Sequence, residues 1–328
     1  MGSETAYYRV LIPTYNDWES LCLLLPLLSE RVQSGKVPPL SAVIVDDGST
    51  VPAGRAFLNT VKALSFPVEV IRLRRNLGHQ RAICIGLAHI HSITPGSNVV
   101  IMDADGEDLP EELERMIQRF ISIQCGKIIF AERTQRSENF RFRSFYVFYR
   151  ALFRLLTGIQ LKMGHFSVLP AHALESLVVV SDLWNHFPSS ILKSKLPYEL
   201  LPTRRGERLM GTSKMNFVNL VMHGLSGLSV FADIISTRLL VASMALVALS
   251  SIGVAAVVYI RVFTPLAIPG WATFTSLSLL ILLFQVIAFS CAVALLVLFN
   301  RNLQTFIPIR DYSFFVGSVK PAHQMDLA

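Results

Sequence analysis

Two stretches without a single charged side chain, Leu239–Ile260 and Thr273–Phe299, limit what this chain can fold into. As helices they would run about 33 Å and 40 Å at 1.5 Å per residue, enough to cross a hydrocarbon core of about 30 Å. Leu, Val and Ile dominate both, and the connection between them carries Arg261, Pro265, Pro269, Gly270 and Trp271. This pattern predicts two transmembrane helices, 239–260 and 273–299, arranged as a hairpin. A pair of buried core helices would instead need a surrounding domain, and only 29 residues follow Phe299. A hydrophobic fraction of 52 % with 16 % charged residues agrees with the membrane reading. Arg238 before the first stretch and Arg301 and Arg310 after the second outnumber Arg261 between them, which predicts both termini on the cytosolic side. Met1–Arg9 contains no apolar leader, so the preceding domain is expected in the cytosol and the chain in the inner membrane as a multi-pass protein.

Residues 7–131 alternate short β-type runs with helical stretches, as in an α/β domain whose sheet carries helices on its faces. The expected strands are Arg9–Ile12, Ala42–Val45, Val68–Leu73, Val99–Met102 and Lys127–Phe130, with helices after Asn16, Val51, Gly78 and Asp108. Asn16 with Glu19, and Asp108 with Glu111, have capping-box spacing, and Pro110 suits a first helical turn. Beyond Glu132 the pattern changes. Arg143, Arg150 and Arg154 fall on one face of a stretch rich in Phe and Tyr, which predicts a membrane-surface helix at about 141–157. A second stripe, Phe217, Leu220, Val221, Gly224, Leu225, Leu228 and Phe231, leads into the first span. Either stripe is equally compatible with packing on the sheet. The expected organisation is a catalytic domain over 1–212, an interfacial helix over 213–238, the spans, and a cytosolic tail over 301–328.

The net charge of +7 is concentrated in Arg133–Arg154 and Lys193–Lys214, among aromatic residues and just before the spans. Lipid head groups and phosphates are therefore the expected partners, and nucleic acid is not. Cys22, Cys84, Cys125 and Cys291 lack metal-ligand spacing and read as small apolar residues.

Four segments fall at the carboxyl ends of the expected strands, where open α/β sheets bind ligands: Pro13-Thr14-Tyr15-Asn16, Asp46-Asp47-Gly48-Ser49, Arg74-Arg75-Asn76-Leu77-Gly78 and Asp103-Ala104-Asp105. Singly each is an ordinary turn or cap. Together they bring two carboxylate clusters to one crevice, which requires a cation or donor groups between them. A divalent ion holding a diphosphate meets that need, and oxygen ligands from Asp105 and Glu107 suit Mg²⁺ or Mn²⁺ rather than zinc.

This ordered set, continued by Arg75-Asn76-Leu77-Gly78-His79, Asp108-Leu109-Pro110-Glu111 and the paired C-terminal spans, resembles the polyprenyl-phosphate branch of glycosyltransferase family 2 over essentially the whole chain. The resemblance implies a glycosyltransferase-A, Rossmann-like nucleotide-sugar domain followed by interfacial amphipathic helices and the transmembrane hairpin. It implies a nucleotide-sugar donor, with UDP-glucose leading, a polyprenyl phosphate acceptor such as undecaprenyl phosphate, inversion at the anomeric carbon, and room for a homo-oligomer. Residue by residue it gives Pro13, Tyr15, Asp46, Asp47 and Asn76 as donor contacts, and Asp103, Ala104 and Asp105 as the diphosphate and metal site. Glu107 is a second metal ligand, Arg133 faces the donor, and Arg208 with Lys214 closes over the phosphates.

One departure matters. Where this branch commonly has Gly-Asp-Phe-Arg, this chain has Gly164-His165-Phe166-Ser167. A phosphate monoester is already largely dianionic at neutral pH, so the acceptor needs no strong base, and His165 is expected to position it. Two rival readings remain open: a processive polysaccharide synthase, weakened by the lack of a Gln-x-x-Arg-Trp segment, and a catalytically silent membrane scaffold or transporter subunit.

Overall fold

The computed structural model describes residues 8–133, 140–160, 163–211, 217–264, 270–301 and 305–325. They fall into two compact units. The first draws on the chain up to Arg150, on Gln160–Val230 and on the segment from Thr305 onward. The second comprises Ala151–Ile159 and Phe231–Gln304.

The first unit is built on eight strands: β1 (Tyr8–Thr14), β2 (Leu40–Asp46), β3 (Val68–Leu73), β4 (Asn98–Ile101), β5 (Ile128–Arg133), β6 (Ser167–Leu169), β7 (Tyr198–Thr203) and β8 (Val316–Pro321). Their order in one mixed sheet is β7-β5-β6-β4-β1-β2-β3-β8. Strands β4, β1, β2 and β3 run parallel, as do β5 and β7, while β6 is antiparallel to both its neighbours. The chain moves outward from β1 through β2 to β3, then returns to place β4 on the other side of β1. That reversal opens a crevice at the carboxyl ends of β1 and β4.

Strand periodicity explains how the sheet is buried. Val10 and Ile12 of β1 and Ala42 and Ile44 of β2 join one core, while Leu11, Val43 and Val45 join the other. The first core is closed by α1 (Trp18–Gln33), α2 (Arg55–Lys62) and α4 (Pro110–Ser122), through side chains such as Leu24, Phe57 and Phe120. The second is closed by α3 (His79–Ile93), α6 (Ala171–Leu177) and α7 (Phe187–Lys193), through Ile83, Leu174 and Phe187. A sheet covered on both faces needs near-continuous apolar strands, which is what β2 and β4 are.

Neither expected capping box forms. The cap position of α1 is Asp17, without a side-chain cap, because Asn16 sits at φ 54° and its side chain turns to Thr50 and the Val51 N–H. At α4 the cap position is Leu109 with Pro110 in the first turn, and Asp108 is directed elsewhere. A second correction concerns the C-terminus. The segment expected as a tail returns to the sheet, where β8 pairs antiparallel with β3 (Ile71 opposite Val319), and Phe306 and Phe315 pack on Trp184.

Helix α5 (Phe140–Thr157) carries Arg150 and Arg154 exposed and Phe153 buried. Helix α8 (Phe217–Ser229) presses its glycines onto α5: a Cβ at Gly224 would lie 3.0 Å from the Tyr149 ring, and the Tyr149 hydroxyl donates to the Gly224 carbonyl at 3.0 Å. Its Val218, Met222 and Leu225 are exposed. In the second unit, α9 (Ala232–Phe263) and α10 (Trp271–Arg301) pack on one another, with Gly253 against Leu279. Both are long and apolar enough to cross a membrane, and few of their residues are buried by protein.

Gly86, on the face of α3 that meets the sheet, has room for nothing larger. An added Cβ would lie 2.3 Å from Leu11 Cδ1 and 2.9 Å from Val45 Cγ2, both fully buried. Gly86→Ala is expected to cost about 1–3 kcal/mol by overpacking, read as a lowered denaturation midpoint of the first unit.

Candidate active site

The crevice is lined by loops that lace the strand ends together. The Asn16 N–H donates to Ser49 Oγ (2.8 Å), and Asp46 Oδ1 accepts the Ser49 N–H (2.8 Å), which holds the loop after β2 against the loop after β1. Asp47 spends both oxygens on the protein itself, accepting the backbone N–H groups of Leu77 (2.7 Å) and Gly78 (2.8 Å). Burial raises its pKa against the lowering effect of those two bonds. Gly48 is required between them: at φ 68°, its Cβ would lie 2.7 Å from the backbone of Arg75 and Asn76. Asp46 is buried with Arg72 at 3.8 Å, Pro13 is buried, Tyr15 is half-buried and Asn76 is exposed. Arg133 ends β5, and its side chain is not among the described ones. Lys214 lies outside the described residues.

Past β4 the chain turns through Asp103, Ala104, Asp105, Gly106 and Glu107. Asp108 holds this turn by accepting the Asp103 N–H at 3.0 Å, so it is a brace for the loop rather than a helix cap. The segment 204–209 lies directly on the turn: the Gly206 N–H donates to the Glu107 carbonyl (2.8 Å) and the Leu209 N–H to the Asp105 carbonyl (2.9 Å). Gly106, at φ 84°, lies under Leu209, where a Cβ would be 2.4 Å from Cγ. Arg208 Nη2 donates to Asp105 Oδ2 at 2.9 Å, and Arg205 Nε donates to Glu107 Oε2 at 2.9 Å. Arg208 Nη1 stands 3.8 Å from Asp17. Nε and Nη1 of Arg208 are buried without a hydrogen-bond partner, an expensive arrangement for a guanidinium unless a ligand completes it.

Burial, followed by the neighbouring charge of Asp103, raises the pKa of Asp105 despite the Glu107 N–H and Arg208 beside it. Three carboxylates on one five-residue turn repel one another, and two arginines supply the compensating charge. The donors are hard oxygens, suited to Mg²⁺ or Mn²⁺, so Asp105 and Glu107 can hold such an ion where the arginines release them. Arg205 was not foreseen from the sequence. Its distance of 98 residues from Glu107 leaves no local signal.

His165 is separated from Asp103 by His79, within a cluster of four imidazoles. His79 Nε2 is 3.3 Å from Asp103 Oδ1, and its ring centroid is 4.9 Å from that of His165. His223 on α8 is 5.6 Å from His165 and 4.9 Å from His186, again between centroids. Gln80 accepts the Phe187 N–H at Oε1 (2.8 Å), which aims its amide nitrogen at His165 Nε2. His186 and His223 come from segments with no motif and were missed in the sequence.

The family model described as glycosyl transferase family 2 matches residues 9–178, just over half of the chain. The chain belongs to this family. Its sheet is accordingly the glycosyltransferase-A arrangement. The match covers Pro13 through His165 and stops before Arg208. Among curated relatives, the uncharacterized glycosyltransferase YkcC of Bacillus subtilis (strain 168) is 25 % identical over 85 % of this chain and 84 % of its own length. The undecaprenyl-phosphate 4-deoxy-4-formamido-L-arabinose transferase of Sodalis glossinidius is 26 % identical over 65 % of this chain and 64 % of its own length. Its counterpart in Klebsiella pneumoniae is 24 % identical over 65 % and 63 %. A similar solved structure is the mannosyltransferase PcManGT of Pyrobaculum calidifontis in complex with GDP-Man and Mn²⁺, 18 % identical over 94 % of this chain and 83 % of that one, with a TM-score of 0.40.

Burial lowers the pKa of His186 to about 3, with the charge of His223 adding to the shift. Burial also lowers that of His223 to about 4, with His79 adding to the shift and Asp103 opposing it. Both folded values lie below the unfolded value near 6.5, so protons bind preferentially to the unfolded chain. The stability held by these two rings is complete above about pH 6.5 and is lost as pH falls through that value toward 4 and 3. Urea denaturation at pH 7.5 and pH 5 should show a drop in stability that is smaller in His223→Gln than in the parent.

Proposed function

We propose that the chain transfers a sugar from a nucleoside-diphosphate sugar, UDP-glucose first among the candidates, to a polyprenyl phosphate such as undecaprenyl phosphate at the cytosolic face of the inner membrane. The observation that carries this reading is Arg208: a half-buried arginine whose buried Nε and Nη1 have no hydrogen-bond partner among the described residues, held against the carboxylate turn at the carboxyl end of β4. A diphosphate offers the acceptors those nitrogens lack, and its charge grows as it departs. The undecaprenyl-phosphate transferases among the relatives supply the acceptor class.

In this reading Pro13, Tyr15, Asp46 and Asn76 bound the nucleotide, while Asp47 shapes the loop that holds them. Arg133 faces the donor. Asp105 and Glu107 would hold Mg²⁺ or Mn²⁺, which when bound supplies positive charge against the leaving diphosphate. Arg208 moves from the carboxylates to the phosphates as the donor enters, and Lys214, six residues further on in sequence, is proposed as the second cation for those phosphates. His165 orients the acceptor phosphate, whose oxygen attacks the anomeric carbon from the face opposite the nucleotide and inverts it.

The hairpin reading of α9 and α10 is supported by connectivity. The chain leaves the first unit after Val230 and is back in it from Thr305, hydrogen-bonded to β3 through β8. An excursion that starts and ends in one sheet crosses a bilayer an even number of times. The exposed Val218, Met222 and Leu225 on α8 suit a membrane surface.

Purified protein incubated with a panel of nucleotide sugars and undecaprenyl phosphate should yield a lipid-linked sugar by mass spectrometry, with UDP-glucose active and excess chelator abolishing the product. No product with any donor would overturn the transferase reading. Arg208→Ala should lower turnover about a hundredfold, near 3 kcal/mol in the barrier, with a smaller loss of nucleoside-diphosphate affinity. Equal losses in binding and turnover would make Arg208 a donor holder with no part in departure.

A further inference from the structure

His165 precedes β6, His186 caps α7 and His223 lies in the middle of α8. One ring nitrogen from each lies within 4.8 Å of the others, a convergence of three metal-ligating groups from segments 21 to 58 residues apart. We infer that His165, His186 and His223 form a binding site for one borderline transition-metal ion, Zn²⁺ by preference, distinct from the carboxylate site of Asp105 and Glu107.

Two arguments carry it. The first is donor chemistry: three imidazoles and no carboxylate select zinc-like ions over Mg²⁺ or Mn²⁺, the reverse of the selection made by Asp105 and Glu107. The second is the support of the rings. His186 Nδ1 accepts the Ser189 N–H at 3.2 Å and lies 2.8 Å from Ser189 Oγ, and the Gln80 amide nitrogen bears on Nε2 of His165. These contacts fix the positions of the two rings against His223, whose ring centroid lies 5.6 Å from that of His165 and 4.9 Å from that of His186.

Zn–N bonds of about 2.0–2.1 Å place tetrahedral ligands about 3.4 Å apart, so nitrogens that lie within 4.8 Å of one another must close by up to about 1.4 Å on binding. Side-chain rotation on α7 and α8 accommodates that. Three protein ligands leave one tetrahedral position for water or for an oxygen of a bound phosphate.

The inference does not depend on the transferase reading, and its test does not use activity. Full-length protein in detergent, stripped with chelator and then kept in millimolar Mg²⁺ to fill the carboxylate site, is titrated with Co²⁺ and with Zn²⁺. One equivalent of each should bind, Co²⁺ should show the intense visible bands of a tetrahedral ion, and Zn²⁺ should raise the unfolding temperature. His165→Ala and His223→Ala should each weaken Zn²⁺ binding at least about a hundredfold and abolish the thermal shift, while Asp105→Asn retains both. An unchanged unfolding temperature of each variant in Mg²⁺ alone separates ligand loss from misfolding. If a variant does unfold early, competition by a chromophoric chelator on the parent chain still counts the equivalents. Failure to bind one equivalent, binding unchanged in both histidine variants, or binding lost only in Asp105→Asn would overturn the site.

Discussion

Mutual repulsion among the carboxylates of Asp103, Asp105 and Glu107 is the constraint around which the first unit is arranged. They occupy one tight turn at the end of β4, and burial makes the charge of Asp105 harder to hold, as its raised pKa records. Compensation arrives from about a hundred residues away. Arg205 and Arg208 reach the turn because segment 204–209 is bound to its backbone at Gly206 and Leu209, and Gly106 keeps the space beneath Leu209 clear. Strand β7 delivers that segment by running parallel to β5, so the far edge of the sheet serves the site through a loop.

Carboxylates of similar appearance in the sequence have different jobs here. Asp47 and Asp108 are consumed by backbone N–H groups and set the shapes of two loops. Asp46 divides its oxygens between the Ser49 N–H and Arg72. Asp105 accepts the Glu107 N–H, and among the described residues Asp105 and Glu107 face Arg208 and Arg205, which can exchange them for another cation. A ligand-responsive carboxylate is therefore distinguished by having mobile side-chain partners, whereas a structural one is tied to backbone.

The parts of the fold that repeat locally were readable. β3 falls where its apolar run does, β1 and β2 extend the expected runs at both ends, β4 is displaced by one residue, and β5 starts one residue later and runs on to Arg133; the runs are readable because a strand buried on both faces must be apolar throughout. Motifs at strand ends were readable for the same reason, since the sheet fixes where they go. Local reading failed where a side chain had another partner. Asn16 and Asp108 have cap spacing, yet Asn16 accepts from the Val51 N–H 35 residues on and Asp108 from the Asp103 N–H within its own loop. The histidine cluster and Arg205 left no trace because their partners lie on different segments. The apolar stripe on α8 left two readings open, and the glycines within it, against Tyr149, show which face meets protein.

Strand β8 has a consequence for the order in which the molecule is made. Val316–Pro321 pairs with Val68–Leu73 across some 245 residues of sequence, with both long apolar helices synthesised in between. Until that pairing occurs β3 is an open edge with unsatisfied backbone groups, the kind of surface that recruits other chains. Such a distant closure is slow, and the nascent first unit must persist as a seven-stranded intermediate while the apolar helices are being placed. Productive folding of the sheet and handling of the hairpin are thereby coupled in time: a delay in the second prolongs exposure of the first.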